Sequence, residues 1–189
     1  PMAPYDLRPT SERGVRALSL RDPIEGVEMN GDTSEANLAY SSNGGIVSVD
    51  SSFTGYSSGA LNDGYVANAE NFETIGFQWA NWASAETVLD HWAQIETSNE
   101  VQATKLIIDW AWDNGVVYSS KEVYVEAYID GAWVRVGEAT DIPAETPRSE
   151  IALTVSSPTD LYRVVQTAGD GPNSRPNLMW ISELSLYAD

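Results

Sequence analysis

Short runs that alternate apolar and polar residues follow one another from Asn37 to the end of the chain, separated by clusters of Gly, Asn, Asp, Ser and Pro. Such a two-residue period is that of half-buried β-strands. Within one run the dipeptide Asp130-Gly131 is typical of a tight hairpin turn. The runs are Ile46 to Asp50, Phe72 to Trp79, Val88 to Thr97, Lys105 to Trp112, Glu122 to Val136, Ile151 to Val155, Leu161 to Thr167 and Asn177 to Tyr187.

The number and spacing of these runs predict the fold class. About eight short strands, with no sustained helical period and no repeat of about 40 residues, favour a β-sandwich or jelly roll over a propeller. We therefore expect one all-β domain of antiparallel strands over residues 37 to 189, a length sufficient for a full core.

The last run places a carboxylate in the middle of an apolar strand. Alternation predicts Ser182, Leu184 and Leu186 on one side, and Ile181 and Glu183 on the other. Burying an unpaired carboxylate costs several kcal/mol. Glu183 must therefore either reach solvent at the rim of the sheet or be held by a partner.

Residues 1 to 36 have a different composition. They contain four prolines, charges of both signs and half of the chain's arginines, and they sustain neither the helical nor the strand period. We interpret them as a linker or tail. They also lack the apolar core of a signal peptide, so if the native protein is exported we expect its signal to lie outside this chain.

The charge is strongly acidic, with 28 Asp and Glu against 10 Lys and Arg and a formal net charge of -18. Nucleic acids and anionic lipids are bound by neutralising their phosphates, so this balance argues against both partners. It is compatible with hard-cation binding, with a salty environment, or with solubility alone. The chain has no cysteine, which excludes disulfides and thiolate metal sites, and no apolar run long enough to span a bilayer.

Five short motifs in register carry a resemblance to a known superfamily. The chain resembles the galactose-binding-like, discoidin or coagulation factor type C superfamily, and most closely the bacterial carbohydrate-binding modules attached to glycoside hydrolases and polysaccharide lyases. The resemblance implies a β-sandwich that binds sugar, lipid or protein, and the acidity argues against lipid. The motifs are Ala60 to Gly64, His91 to Ile95, Asp130-Gly131 with Trp133, Tyr162 to Val164 and Ile181 to Tyr187.

The resemblance also implies a structural Ca²⁺ between the first Asp-Gly turn and the last strand. It assigns Asp63 and Glu183 as side-chain ligands and Leu61 as a carbonyl ligand, with Asn68 or Glu70 completing the set. The family's threonine and tryptophan after the Asp-Gly are absent here, which bears on the completing ligands. The alternative is that Asp63 serves a turn and Glu183 is a rim carboxylate.

Sugar recognition needs aromatic ring faces and a few polar side chains at the strand ends. Among the seven tryptophans we select Trp82 and Trp112 as platforms, with core packing as the alternative. The tryptophans at positions 92, 133 and 180 are interpreted as mainly structural.

In the resembling modules the sugar contacts three loops at one end of the sandwich. Asn173 and Arg175 are then candidate partners for sugar hydroxyls or a sugar carboxylate, and Tyr56 is a candidate second wall; a merely solvated loop is the alternative. The corresponding loops here are Phe53 to Gly59, Asp113 to Ser120 and Ala168 to Asn177.

Material for catalysis is scarce. His91 is the only histidine and shares a predicted strand face with Ala93 and Ile95, so we expect a satisfied, partly buried ring rather than a base. Arg163, inside a strand, is expected to be structural. A carboxylate-pair glycosidase stays open, since acidic residues are present at positions 96, 109, 113 and 126.

The sequence thus predicts a non-catalytic carbohydrate-binding module, monomeric and secreted or cell-surface, that holds the catalytic domain of a larger chain near a polysaccharide. A discoidin-like adhesion or protein-interaction domain is the alternative, and a small polysaccharide-active enzyme is a third reading. An adhesion domain should show an apolar patch on a sheet face or rim.

Overall fold

A computed structural model describes residues 36–188, so the predicted linker or tail lies almost entirely outside the described residues. Within them the chain forms ten strands and only one-turn helices, namely α1 (Phe72–Ile75), α2 (Phe77–Ala80) and 3₁₀ turns at Ser41–Asn43 and Ser58–Asn62. The strands are β1 (Ile46–Val49), β2 (Trp82–Ala83), β3 (His91–Val101), β4 (Lys105–Asp113), β5 (Val116–Tyr118), β6 (Val123–Ile129), β7 (Ala132–Ala139), β8 (Arg148–Ala152), β9 (Thr159–Gln166) and β10 (Trp180–Tyr187).

The strands form two antiparallel sheets. The first has the order β1-β3-β9-β6-β7, and the second has the order β2-β10-β4-β5 with β8 also paired to β4. Strands β8 and β5 share one edge of β4, because β8 pairs with its first half and β5 with its last three residues. The predicted all-β sandwich is confirmed, with ten strands in the described residues instead of about eight. No helix in this part of the chain has the length and apolar character needed to cross a membrane.

The main core lies between the two sheets. Its buried cluster includes Ala93 and Ile95 from the first sheet and Ile108, Trp110 and Leu184 from the second. These residues follow the two-residue period that the sequence shows, because inward side chains alternate with outward ones along each strand. Burial of this apolar surface is the main favourable contribution to the stability of the fold.

Two dipeptides set the hairpins of the sandwich. Asp130 and Gly131 have φ values of 52° and 84°, and Asn114 and Gly115 have φ values of 48° and 85°. Positive φ at both central residues belongs to the turn whose twist matches that of paired strands. The first dipeptide joins β6 to β7 as predicted, and the second joins β4 to β5, a strand that the sequence reading missed.

The predicted strand from Phe72 to Trp79 is wrong, because this segment forms α1 and α2. The side chain of Asn68 accepts hydrogen bonds from the amides of Glu70 and Asn71, at 2.9 and 3.1 Å, which starts a turn in place of a strand. Gly76, with a φ of 80°, then separates the two helical turns. The actual strand here is β2, which follows α2.

The alternation predicted for the last strand fails at one point. The register of β10 against β4 shifts between Ile181 and Glu183, as in a β-bulge. Ile181 therefore joins Leu184 and Leu186 in the core rather than lying on the opposite side. Ser182 is fully buried at the shift, and its hydroxyl donates to the carbonyl of Ala80 at 2.9 Å.

We predict that Ser182→Ala destabilises the domain by about 1 to 3 kcal/mol, because it removes a buried hydroxyl that hydrogen-bonds two backbone groups. Besides donating to Ala80, the Ser182 hydroxyl accepts from the amide of Ala67 at 2.7 Å. Urea denaturation measures the loss, with the exposed Ser156→Ala as the control. Equal stability of the two variants would contradict this role of Ser182.

Candidate functional site

Aromatic side chains from two of the predicted loops meet at one end of the second sheet. Tyr56 lies edge-on to Trp180 at 5.8 Å between ring centroids, and Tyr118 stacks on Trp180 at 4.5 Å with an interplanar angle of 33°. Phe53 lies edge-on to Tyr56 at 6.2 Å. We call these four residues the aromatic end. The third loop reaches the same place, since the guanidinium carbon of Arg175 lies 5.9 Å from the Phe53 ring centroid.

The aromatic end grows from the outward face of the second sheet. Trp180 is the first residue of β10, and it packs with Ala83 and Ala111 in a small buried cluster against which Phe53 and Tyr56 lie. The amide of Phe53 donates to the carbonyl of Ala83 at 2.8 Å, which fixes the first loop along β2. Trp180 is only 5% exposed and therefore supports the site, in agreement with its predicted structural role.

Charged groups of both signs lie near Tyr56. Burial and the negative charge of Asp113 raise the pKa of the Tyr56 phenol, while Arg175 opposes them. Tyr56 therefore stays a neutral hydroxyl that can donate and accept at neutral pH. Arg175 lies 3.9 Å from a carboxylate oxygen of Glu86, and both side chains keep more than 40% of their surface exposed. The end thus combines ring faces with a cation, carboxylates and a hydroxyl.

The two tryptophans predicted as platforms occupy different positions. Trp82 is fully buried in the core, and its ring nitrogen donates to the carbonyl of Ser51 and the hydroxyl of Ser52, each at 3.1 Å. Its selection as a platform is therefore wrong, because no ring face is open to a ligand. Trp112 is half-buried and lies edge-on to Phe72 of α1 at 5.1 Å.

The third loop, from Ala168 to Asn177, is tightly wound. The amide of Arg175 donates to the carbonyl of Pro172 at 2.8 Å, and the amide of Gly171 donates to the carbonyl of Pro176 at 2.9 Å. Gly171 is buried at the centre of this loop, whereas Asn173 is exposed at its surface. The loop therefore presents Asn173 and Arg175 from an ordered backbone.

His91 and Arg163 have the structural surroundings that the sequence predicts. His91 is 1% exposed, and its ring contacts the Asp50 carboxylate at 2.8 Å. Arg163 pairs with Glu126 at 2.6 Å and stacks on the Trp133 ring at 4.1 Å. Neither residue has the exposure that a catalytic group facing a polymer would need.

The structure brings together the two carboxylates assigned to Ca²⁺. Both oxygens of Glu183 lie 3.3 Å from the amide nitrogen of Gly64, while Asp63 accepts from the amide of Tyr65 at 3.0 Å. Glu183 is 3% exposed. Burial raises the pKa of Glu183 well above its usual range, and the charges of Asp63 and Asp109 raise it further. Backbone hydrogen bonds from Gly64 and Asp63 oppose this rise without cancelling it, so the pair fits a bound cation or a proton.

The remaining predicted metal ligands are placed less directly. Leu61 is buried in the 3₁₀ turn that leads into Asp63, so its carbonyl belongs to the same short segment. Asn68 and Glu70 are exposed, and the Asn68 side-chain oxygen is already engaged with two backbone amides. Among residues 36–188 no group of three or more His, Cys, Asp or Glu side chains is arranged to hold a metal ion. A cation between Asp63 and Glu183 would therefore depend on backbone oxygens as well.

Sequence reasoning missed Phe53 and Tyr118 of the aromatic end, and also Glu86, which pairs with Arg175 beside it. Phe53 and Tyr118 lie inside predicted loops but carried no signal of their own, because an aromatic residue in a loop is as often packing as binding. Glu86 precedes the predicted third run. The position of Tyr118 could have been predicted, because Asn114-Gly115 is typical of a hairpin turn and the strand after that turn ends at Tyr118.

We predict that Gly171→Ala destabilises the protein by about 1 to 3 kcal/mol, because a β-carbon at this position overpacks the loop. It would lie 2.5 Å from the carbonyl oxygen of Leu178 and 2.7 Å from that of Arg175. Urea denaturation tests this, with Gly59→Ala as the control, where the nearest atom lies at 3.4 Å. A Gly171 variant as stable as the control would show that the loop is looser than described.

Comparison with known proteins shows the fold. No protein-family model and no curated protein match the chain. Among solved structures, a chitosan-binding module from a chitosanase/glucanase of Paenibacillus sp. IK-5 has a TM-score of 0.58 at 18% identity, covering 81% of this chain and 99% of that one. The lectin domain of lectinolysin in complex with Lewis b antigen has a TM-score of 0.59 at 14% identity, covering 82% and 97%.

A third solved structure is a larger chain, the GH29 fucosidase of Ruminococcus gnavus in complex with fucose. The match has a TM-score of 0.56 at 19% identity and covers 82% of this chain but only 27% of the fucosidase. The described domain therefore corresponds in size to one part of that enzyme chain. The chain has the galactose-binding-like β-sandwich fold of these carbohydrate-binding modules and lectin domains.

Proposed function

We propose that the chain is a non-catalytic carbohydrate-binding module whose glycan lies at the aromatic end, beside Arg175. The observation that carries the proposal is the convergence of Tyr56, Phe53 and Arg175 from two separate loops. Half-buried ring faces suit the apolar faces of pyranose rings, and a partly exposed guanidinium with nearby carboxylates suits their hydroxyls.

The comparisons support the class of ligand. Proteins with this fold are described as chitosan-binding and as a lectin domain complexed with Lewis b antigen. Such a likeness does not choose a sugar for this chain, because one fold serves many ligands. The choice must come from the loops, and these carry both a cation and carboxylates.

The proposal extends to the protein's role. The match to about a quarter of a fucosidase chain supports a module that works beside a catalytic domain. We propose that this module is secreted or at the cell surface. Tethering raises the effective concentration of the catalytic partner at its polymer without chemistry by the module itself. Such a module functions as a monomer.

We expect Arg175→Ala and Tyr56→Ala each to weaken glycan binding about tenfold or more, because a charged hydrogen bond or a stacked ring is lost. Affinity electrophoresis against chitosan and a panel of plant, algal and microbial polysaccharides, with Lewis b oligosaccharide titrated separately, measures the change. Arg135→Ala is the matched control, since Arg135 is 52% exposed on the other sheet. Retention on no polysaccharide, or equal loss in the control, would contradict the proposal.

We further propose that Asp63 and Glu183 hold a structural Ca²⁺ together with the carbonyl of Leu61, with Asn68 or Glu70 as further candidates. The support is the burial of Glu183 beside a second carboxylate, a pair of like charges that a divalent cation would neutralise. When bound, the ion supplies only charge and cross-linking. It would tie the first Asp-Gly turn to β10.

Ca²⁺ at 100 times its dissociation constant should stabilise the protein by about 2.7 kcal/mol, because it binds the folded state alone. Differential scanning calorimetry with Ca²⁺ and with chelator measures this as a rise in Tm. Glu183→Gln should abolish the Ca²⁺-dependent rise, while its Tm in chelator should be no lower than that of the unmodified protein, since a charge repulsion is removed.

A proton on Glu183 is the competing arrangement and has a different signature. Because the folded pKa is raised, its contribution to stability is complete below the unfolded value of 4.5 and is lost as pH rises through the folded pKa. The proton would be favoured, and the metal refuted, by a Tm that is the same with and without chelator but falls as pH rises through the folded pKa. In Glu183→Gln this fall of Tm with pH should be absent.

One observation favours a second candidate, a discoidin-like adhesion or protein-interaction domain. The outward face of the first sheet carries Tyr128, which is 39% exposed and lies 5.2 Å from the Trp133 ring, and at the sheet's edge Ile46 is 60% exposed. Such a face suits a protein partner better than a single sugar. Ligand capture lost in Tyr128→Ala but kept in Arg175→Ala would favour this candidate.

A further inference from the structure

The buried ring of His91 joins three segments at the end of the sandwich that carries Arg175. Its Nδ1 atom lies 2.8 Å from the carboxylate of Asp50, which follows β1. Its Nε2 atom lies 3.3 Å from the carbonyl oxygen of Thr87 and 3.2 Å from that of Asn177. Thr87 belongs to the loop before β3, and Asn177 ends the loop that contains Arg175.

The partners of the ring determine its protonation. Nε2 faces two carbonyl oxygens, which can only accept hydrogen bonds, and Nδ1 faces a carboxylate. Asp50 already accepts from the hydroxyl of Ser51 at 2.7 Å and from the amide of Trp92 at 3.0 Å, as an ionised carboxylate does. Either neutral tautomer of His91 would set a nitrogen lone pair against an acceptor. The imidazolium alone donates to every partner.

The electrostatics agree with this geometry. Burial lowers the pKa of His91, but the hydrogen bond and charge of Asp50 and the two loop carbonyls outweigh it, so the pKa is raised. Burial also disfavours the charged form of Asp50 and so raises its pKa. The hydrogen bonds from His91 and from the other donors outweigh burial, so the pKa of Asp50 is lowered. Asp50 is the charged group that faces the ring, and the paired residue on β9 is the neutral Gln166.

The same two loops share other charged contacts that must be separated from that of His91. Asp90 accepts from the amide of Ala168 at 3.0 Å, and Arg175 pairs with Glu86 at 3.9 Å. Both contacts lie nearer the surface than the His91 ring, because Glu86 and Asp90 are exposed while His91 is buried. A change in the loops that follows the signal of the single histidine therefore reports on His91 rather than on them.

We propose that the His91 imidazolium is a positioning residue that holds the loops before β3 and before β10 together, so that glycan affinity falls as the ring loses its proton. The affinity part rests on the proposed function. Deprotonation places a lone pair of Nε2 or Nδ1 against an oxygen, and the loop that carries Arg175 loses its buried anchor at Asn177.

The sign of the pH effect follows from the two pKa directions. The contribution of His91 to stability is complete below its unfolded value of 6.5 and is lost as pH rises through the raised folded value. The contribution of Asp50 is present above its unfolded value of 3.8 and is lost as pH falls through the lowered folded value. The anchor is therefore complete between these two unfolded values, and on the alkaline side it is lost as pH rises through the folded pKa of His91.

Nuclear magnetic resonance tests the anchor without any ligand, because the chain has a single histidine and hence one imidazole signal. We expect a pKa above 6.5, and we expect the amide signals of residues 86–90 and 168–178 to shift with the same midpoint. Asp50→Asn should lower both midpoints together, while the control Glu100→Gln, at an exposed site on β3, should leave them unchanged. A pKa at or below 6.5, or loop signals that do not follow the ring, would overturn the proposal.

Glycan affinity is then measured across the same pH range with the polysaccharide retained most strongly at pH 6. We expect binding to weaken about tenfold across the His91 midpoint and at a lower pH in Asp50→Asn. Affinity that stays constant while the loops shift would overturn the link to binding. If no polysaccharide is retained at any pH, the proposed function fails, and the loop signals still decide whether His91 is the anchor.

Discussion

The strand β10 is buried on both faces, and this constraint organises much of the described structure. Its inward residues belong to the core between the sheets, while its outward polar residues are covered by other parts of the chain. A buried polar group without a partner costs about 1 to 3 kcal/mol. Each segment that covers β10 must therefore supply a hydrogen-bond partner for the polar side chain it buries, as well as pack against it.

The covering segments meet that requirement in different ways. The hydroxyl of Ser182 binds the amide of Ala67, and that of Ser185 accepts from the side chain of Asn37 at 3.1 Å. Glu183 is the exception, because its backbone hydrogen bonds from Gly64 and Asp63 do not offset its burial beside a second carboxylate. Burial of β10 thus requires hydrogen-bond partners from the covering loops, and at Glu183 it also requires a cation or a proton.

The fold was predictable because it depends on local patterns. Alternation identifies the core strands, and the backbone preferences of Asp130-Gly131 identify a hairpin directly. The wrong predictions have local causes that the alternation of apolar and polar residues does not show. The segment from Phe72 to Trp79 alternates, yet the Asn68 side chain starts a turn there, and the register shift in β10 reverses the expected side of Ile181.

The candidate site was predictable only in part, because a loop reveals its residues but not their exposure. The loops of Tyr56 and Arg175 lie at one end of the sandwich, because the Phe53 ring lies next to both residues. Trp82 is buried because β2 turns its ring inward, and nothing in the surrounding sequence distinguishes that from an exposed platform. Which of two neighbouring aromatic residues faces water is decided by tertiary packing.

The arginines give an independent reason to place a polar ligand at the aromatic end. Arg148, Arg163 and Arg135 each pair with a carboxylate at 3.3 Å or less, and Arg163 and Arg135 also stack on aromatic rings. Arg175 has the longest of these ion pairs, at 3.9 Å. In a chain with 28 acidic residues, a guanidinium bound so loosely is not needed to neutralise a buried charge. The proposed glycan site accounts for its position beside ring faces.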